Sequence, residues 1–310
     1  MDVSIIIVSF NTVIKTQKCI QAVVEHTKDI KYEIILSDNG STDGSVEKIR
    51  EEFKNVIIIE NGHNIGFGKA NNTALKLAKG KYILYLNSDA YIQNNAIKMF
   101  YDYWENSVDK EHIGAIGAQL IDINGKKVHS AASFPTYRYF CKRQIGINLC
   151  NIMKSLLLFF GFKEIYCRMA RMNRNRSAKR EKRKQRQSGD VGYITGADLF
   201  IKNDENAAFN PQYFMYCEET ELELKMADKG LKRTIIDGPQ IVHDQKLKSI
   251  ENYQIYEVSD VFKDISGIIY SQNNLGVKAR LLRFLVWLNG INPMIKDVQR
   301  RALQIINESK

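Results

Sequence analysis

An alternation of segment types constrains this chain more than anything else in it. Short apolar runs at residues 3–10, 32–36, 56–59 and 82–86, the first of them rich in β-branched residues, are separated by stretches with helical apolar spacing. The latter cover 15–25, a segment carrying Val46, Ile49 and Phe53, and 70–78, which Gly80 stops. Continuous apolar runs suit strands buried on both faces. The alternation therefore predicts an α/β fold with a mainly parallel central sheet and helices on both sides. Further along, 97–104 and 221–227 read as helices, and 113–116, 194–201 and 235–236 as strands. Ligands of such sheets bind beyond the carboxyl ends of the strands. Three polar clusters fall at those ends, at 9–11, 37–43 and 87–89.

Size and charge narrow the classes. With 310 residues and 44% apolar content, the chain can bury one large core and carry an appended region. Its first residues lack a basic segment followed by an apolar run, so no secretory signal is expected. No apolar stretch approaches the roughly 18 residues of a spanning helix. The cysteines, at 19, 141, 150, 167 and 217, are odd in number and form no Cys-x-x-Cys pair. This argues against a disulfide framework or compact zinc site and for buried thiols in a reducing cytoplasm.

The net charge of +10 is local: residues 163–188 hold eleven Lys or Arg against Glu164 and Glu181. A nucleic-acid binder spreads such charge over a structured face. Phosphate contacts from 179–184 remain the competing non-enzymatic reading. Apolar residues at 156–160 stand directly before the basic run, and 281–291 holds a second apolar patch. Together they suggest an anionic membrane surface as partner, with apolar groups at the interface and cations on headgroups. A solvated basic loop beside an ordinary buried helix is the plainer alternative. The expected division is a catalytic domain at 1–245, with a basic insertion at about 150–190, and a C-terminal helical region at 246–310.

Each polar cluster has a chemical and a structural reading. Strand alternation would put Asn87 and Asp89 on one side, where their oxygens suit a hard divalent cation sharing phosphate ligands; an Asx turn explains them equally. Asp38 suits a base N–H or ribose hydroxyl, or a turn. Thr42 or Asp43 suits the cap of the next helix. Asn64-Ile65-Gly66-Phe67-Gly68, leading to Asn71, offers close approach and free N–H groups to an anion, without a full dinucleotide or Walker pattern. After Phe214-Met215-Tyr216-Cys217 come three acids in four positions. They suit a helix N-terminus, and Glu219 could serve as a general base if aimed into a cleft, with Glu218 and Glu221 orienting an acceptor. His243 could complete a metal shell or touch a diphosphate.

In order, these motifs resemble the family-2 glycosyltransferases, particularly bacterial rhamnosyltransferase-like members, from Val3 to about His243. The matching features are Val8-Ser9-Phe10-Asn11, Ser37 to Asp43, Asn64 to Asn72, Asn87-Ser88-Asp89, Gly196-Ala197-Asp198, Phe214 to Leu222, and His243. The resemblance implies a GT-A fold and an inverting transfer from a nucleotide-sugar donor to a glycan or lipid-linked glycan in surface polysaccharide synthesis. It implies Mg²⁺ or Mn²⁺ and a cytoplasmic site at the inner face of the membrane. On it, Asp38 resembles the base-recognising residue, with Ser9 and Asn11 nearby. Asp89 and His243 resemble the residues at the metal and diphosphate, and Glu219 stands where relatives carry an aspartate base. Three departures stand out. Asn87 replaces an acid, Glu219 is one methylene longer than aspartate, and Asp198 replaces a commoner hydrophobic residue. The first two leave open a catalytically weakened, glycosyltransferase-like partner.

Overall fold

The computed structural model describes residues 1–162, 164–165, 188–244 and 257–309. They form two compact units, the first holding 1–134 and 188–244, the second 135–162 and 257–307. The expected division was at about 245; the contacts instead group the long helix near residue 150 with the C-terminal helices. The basic run at 179–184 lies outside the described residues.

In the first unit, strands β1 (Val3–Ser9), β2 (Tyr32–Asp38), β3 (Val56–Glu60) and β4 (Tyr82–Asn87) alternate with helices α1 (Val13–His26), α2 (Ser45–Glu52) and α3 (Phe67–Leu75). Next come β5 (Ala90–Ile92), α4 (Ala96–Asn106), β6 (Ile113–Ala118), β7 (Ala131–Ala132), β8 (Gly189–Asp190), β9 (Tyr193–Ile194) and β10 (Asp198–Lys202). Helix α6 (Glu218–Asp228) and strands β11 (Lys232–Ile236) and β12 (Ile241–His243) complete the unit. The main sheet runs β3-β2-β1-β4-β10-β6-β11-β8. Its β3, β2, β1 and β4 are mutually parallel, as are β6 and β11, whereas β10 and β8 run against their neighbours. The sheet is thus mixed and mainly parallel.

Both faces are covered, as the unbroken apolar strands require. Successive β1 side chains point to opposite faces. Ile5 and Ile7 join Cys19, Ile20 and Val23 of α1 and Phe100 and Trp104 of α4, while Ile6 joins Ile35, Tyr85, Ala74 of α3, and Leu222 and Met226 of α6. The described cysteines are free thiols; Cys19 and Cys141 are buried, Cys150 and Cys217 half-buried.

Three expectations change. The strand expected over 194–201 breaks at Thr195-Gly196-Ala197, because Thr195 N–H is drawn to the Ser130 carbonyl while the Ala197 carbonyl accepts Asn87 N–H. The cap of α2 is Gly44, at φ 80°. Asp43 instead accepts Val13 N–H (2.9 Å) and Ser45 N–H (3.2 Å), tying α1 to the turn before α2. The apolar residues noted at 156–160 close a longer helix, α5 (Tyr137–Phe159), in the second unit. With it stand α7 (Val258–Asn274), α8 (Arg280–Asn289) and α9 (Pro293–Glu308).

Gly66 marks where the loop before α3 meets the rest of the unit. Its φ is 90°, and a Cβ there would stand 2.5 Å from the Phe214 carbonyl oxygen, the atom that accepts Phe67 N–H at 2.9 Å. Gly66→Ala is expected to cost roughly 1–3 kcal/mol, read as a lower denaturant midpoint with an unchanged slope.

Candidate active site

Register places the site. Ser9 pairs with Asp38, and Val8 with Asn87, so β1, β2 and β4 end at one edge of the sheet. Several residues singled out in the sequence turn inward there. Ser9 is buried, its hydroxyl 3.1 Å from that of Thr16 on α1. Asp38 is 1% exposed and accepts the N–H groups of Gly40 and Ser41 (3.0 and 2.8 Å) and the Ser41 hydroxyl (2.6 Å). Its carboxylate thereby organises the turn that follows β2. Asn11, at φ 52°, donates its N–H to the Ser41 hydroxyl and accepts Thr42 N–H at 2.8 Å, joining the first two loops of the edge. Asn71 is buried and donates to the Phe67 carbonyl one helical turn earlier. Ser9, Asp38 and Asn11 brace the edge, and Asn71 the first turns of α3.

At the end of β4 the strand stops at Asn87, and Ser88-Asp89 form a turn before β5. The alternation expected to align Asn87 with Asp89 therefore does not extend to Asp89. Asn87 is half-buried, and its side-chain amide forms no hydrogen bond among the described residues. Asp89 is drawn to a different partner. Strand β12 pairs antiparallel with β5, with His243 opposite Ala90. The His243 Nε2 stands 3.2 Å from Asp89 Oδ1, and Asp244 donates its N–H to the Asp89 carbonyl at 2.8 Å. His243 is buried, and its Nδ1 has no hydrogen-bond partner among the described residues.

Lys15 of α1 completes this cluster. Its Nζ lies 3.8 Å from Asp89 Oδ2 and 3.3 Å from Asp244 Oδ2. Sequence reasoning passed over Lys15 and Asp244. Adjacency to His243 could have flagged Asp244; nothing in the local pattern flags Lys15.

The second cluster stands where β10 begins. This strand runs against β4, pairing Asp198 with Leu86, so the chain enters the sheet at the edge where β1 and β4 leave it. Gly196, just before it, faces the side chain of Glu219: a Cβ on the glycine would lie 3.8 Å from the Cβ, Cγ and Cδ of Glu219. Tyr216 and Cys217 hold left-handed conformations in succession, at φ 72° and 67°. They turn the chain sharply so that α6 starts with Glu218 and Glu219.

Glu219 is half-buried, and desolvation raises its pKa to about 7. Glu218, buried beside it, is pushed well above the ordinary value by desolvation and then by the Glu219 charge. Glu221 accepts from Asn210 and pairs with Lys225, holding the local network. Two acids lie deeper. Glu223 accepts Ile194 N–H at 2.8 Å, and Asp198 accepts Ala118 N–H at 2.6 Å. Burial raises the pKa of both. Asp198 is thus spent inside the sheet rather than toward an acceptor.

A hard divalent cation fits the Asp89 side by the chemistry of its donors. One carboxylate and one imidazole converge there, and the described residues include no group of three or more His, Cys, Asp or Glu able to cage a metal. Cations of the Mg²⁺ and Mn²⁺ type often take few protein ligands and complete their shell with phosphate oxygens and water.

A mixed, mainly parallel sheet with its polar loops gathered at one edge is a GT-A-like α/β fold. Residues 4–165 match the family described as glycosyl transferase family 2, and the chain belongs to that family. It is 34% identical over 133 residues to a poly(ribitol-phosphate) beta-glucosyltransferase of Bacillus spizizenii, covering 41% of this chain and 20% of that protein. It is 22% identical over 227 residues to an N-acetylglucosaminyl-diphospho-decaprenol L-rhamnosyltransferase of Mycobacterium tuberculosis, covering 68% of this chain and 66% of that one. The chain thus spans less than two thirds of the length of either. Among solved structures, it resembles a mannosyltransferase of Pyrobaculum calidifontis in complex with GDP-Man and Mn²⁺. The TM-score is 0.52 at 12% identity, over 99% of this chain and 75% of that one.

The raised pKa of Glu219 has a thermodynamic consequence. Between the ordinary glutamate value and about 7 the folded state holds a proton the unfolded chain has released, so stability falls as pH rises through that window. Thermal midpoints are expected to drop from about pH 5 to about pH 8. The drop should be shallower in Glu219→Gln; Glu218, Glu223 and Asp198 contribute with the same sign and remain.

Proposed function

We propose that this chain is an inverting, divalent-metal-dependent glycosyltransferase. It would move a sugar from a nucleoside-diphosphate donor to a hydroxyl of a glycan or lipid-linked glycan, in surface polysaccharide synthesis such as that of a capsule. One observation carries the reading: Asp89, paired with His243, follows Asn87, whose N–H bonds the Ala197 carbonyl, and Gly196 beside it faces the Glu219 side chain, whose pKa is raised to about 7. In this reading Asp89 and His243 would hold Mg²⁺ or Mn²⁺, which when bound would supply positive charge to the leaving diphosphate. Lys15 adds positive charge beside it. Glu219, its pKa raised by desolvation to about 7, takes the proton of the acceptor hydroxyl as that oxygen attacks the anomeric carbon from the face opposite the nucleotide. Gly196 leaves room beside the base. Asp38, Asn11 and Gly66 shape the nucleotide side through the loops they brace.

Support for a lipid-linked acceptor comes from the mycobacterial relative, whose name specifies a diphospho-decaprenol acceptor, and that relative also motivates rhamnose as the finer donor proposal. The Pyrobaculum structure, with its GDP-Man and Mn²⁺, supports the donor and ion classes. Work at the inner face of the cell membrane follows from such an acceptor. A second reading, a donor-binding partner with weakened catalysis, rests on Asn87 and on the extra methylene of Glu219.

Ligand-detected NMR across nucleotide-sugars, with and without Mn²⁺, tests the donor assignment. Asp89→Ala is expected to abolish the Mn²⁺-dependent gain in donor binding. Glu219→Gln should leave donor binding within about twofold and lower kcat roughly a hundredfold or more. Wild-type turnover by the glutamine variant would remove the base; donor binding without turnover in the wild type would favour the second reading.

A further inference from the structure

The second unit buries apolar residues such as Phe140, Phe262 and Tyr270, but α5 beyond Cys141 has its polarity reversed. Helix α5 carries two stripes at heptad spacing. Gln144, Asn148 and Asn151 form the buried one, and Ile145, Leu149, Ile152, Leu156 and Phe159 form the exposed one. The exposure is large: 62% at Leu149 and 83% at Phe159, against 1% at Gln144. Within the unit, the buried amides are bonded to one another. Asn148 donates to the Leu285 carbonyl (3.0 Å), Asn289 to Gln144 Oε1 (2.7 Å), and Asn151 to Asn289 Oδ1 (3.3 Å). Gln144 and Arg143 reach Asp264 of α7. Helix α8 buries Leu282, Leu285 and Asn289 and turns Leu281, Phe284 and Trp287 outward, the last two stacked at 5.8 Å.

In water, a helix ordinarily turns its apolar stripe inward and its amides out. A hydrogen-bonded polar seam inside and an apolar surface outside suit an apolar surrounding. No described helix is long and apolar enough to cross a membrane, so the fit is to an interface rather than a span.

Charge identifies the occupant. Residues 135–162 carry four basic residues and no acid, and residues 265–296 likewise carry four basic residues and no acid. Arg138, Lys142, Lys278, Arg280 and Arg283 are exposed beside the stripes. A second copy of this chain would bring like charge against like charge, whereas anionic headgroups neutralise it. We propose that the exposed faces of α5 and α8 are an interfacial membrane-binding surface that seats the second unit in an anionic bilayer leaflet. This deepens the proposed function, on which it rests for a lipid-linked acceptor, while its geometric basis is independent of the catalytic residues.

The full chain supplies its own probe. Its two tryptophans are Trp104, 2% exposed in the first unit, and Trp287, 62% exposed on α8. Vesicles of phosphatidylcholine with phosphatidylglycerol are expected to shift Trp287 emission to the blue and bring it within reach of brominated acyl chains, with weaker binding to phosphatidylcholine alone. The triple variant L149Q/I152Q/L156Q keeps every charge and alters only exposed positions, and should weaken vesicle partition by tenfold or more. Unmoved Trp287 emission, or equal partition by the triple variant, would overturn the proposal. So would lipid-free dimerisation that the triple variant abolishes, which would give the face to a second copy. Donor binding, measured by NMR without lipid, separates the two claims. Its loss with vesicle binding intact would strike the enzymatic reading alone, and the converse the membrane face alone.

Discussion

Parallel pairing of β1 with both β2 and β4 is the constraint on which the proposed catalytic edge depends. Because the three strands share one direction and one register, Ser9, Asp38 and Asn87 arrive together, and the loops leaving them are neighbours without any further device. A slip of one residue would exchange the faces of Ile5, Ile6 and Ile7 and unseat the helices on both sides. The apolar core therefore holds the polar edge in place. Strand β10 adds what a purely parallel sheet lacks. By running backwards between β4 and β6, it brings the chain into the edge, and Gly196 with it.

Electrostatics divides that edge in two. On the β4 side, Asp89 and Asp244 are held beside Lys15 and His243, so negative charge is met by donors within the fold. On the α6 side, Glu218, Glu219 and Glu223 crowd into a desolvated region, and burial favours their protonated forms. Carboxyl groups of the same chemistry thus serve different ends: an anion able to meet a cation, and a group able to gain or lose a proton near neutrality.

Much of this was legible in the amino-acid order. The apolar runs gave β1 to β4, since strands buried on both faces need no alternation to be recognised, and the polar clusters marked their carboxyl ends. The long-range part was not legible. That Asp43 would reach Val13 rather than cap α2 depends on loops meeting across about thirty residues of sequence. Lys15 carries no local mark because its partners lie 74 and 229 residues away. The long helix of the second unit was only partly visible: its apolar residues stood out, but a search for buried apolar stripes misreads a helix that buries its amides.

The pair Tyr216 and Cys217 bears on protein engineering. Two successive side-chain-bearing residues held at positive φ impose a conformational penalty that glycine would relieve. A campaign for heat resistance would be drawn to these positions first. The same relief would loosen the bend that fixes the direction in which α6 sets out, so tolerance to heat and fidelity of the proposed proton acceptor would be traded against each other at a single turn of the chain.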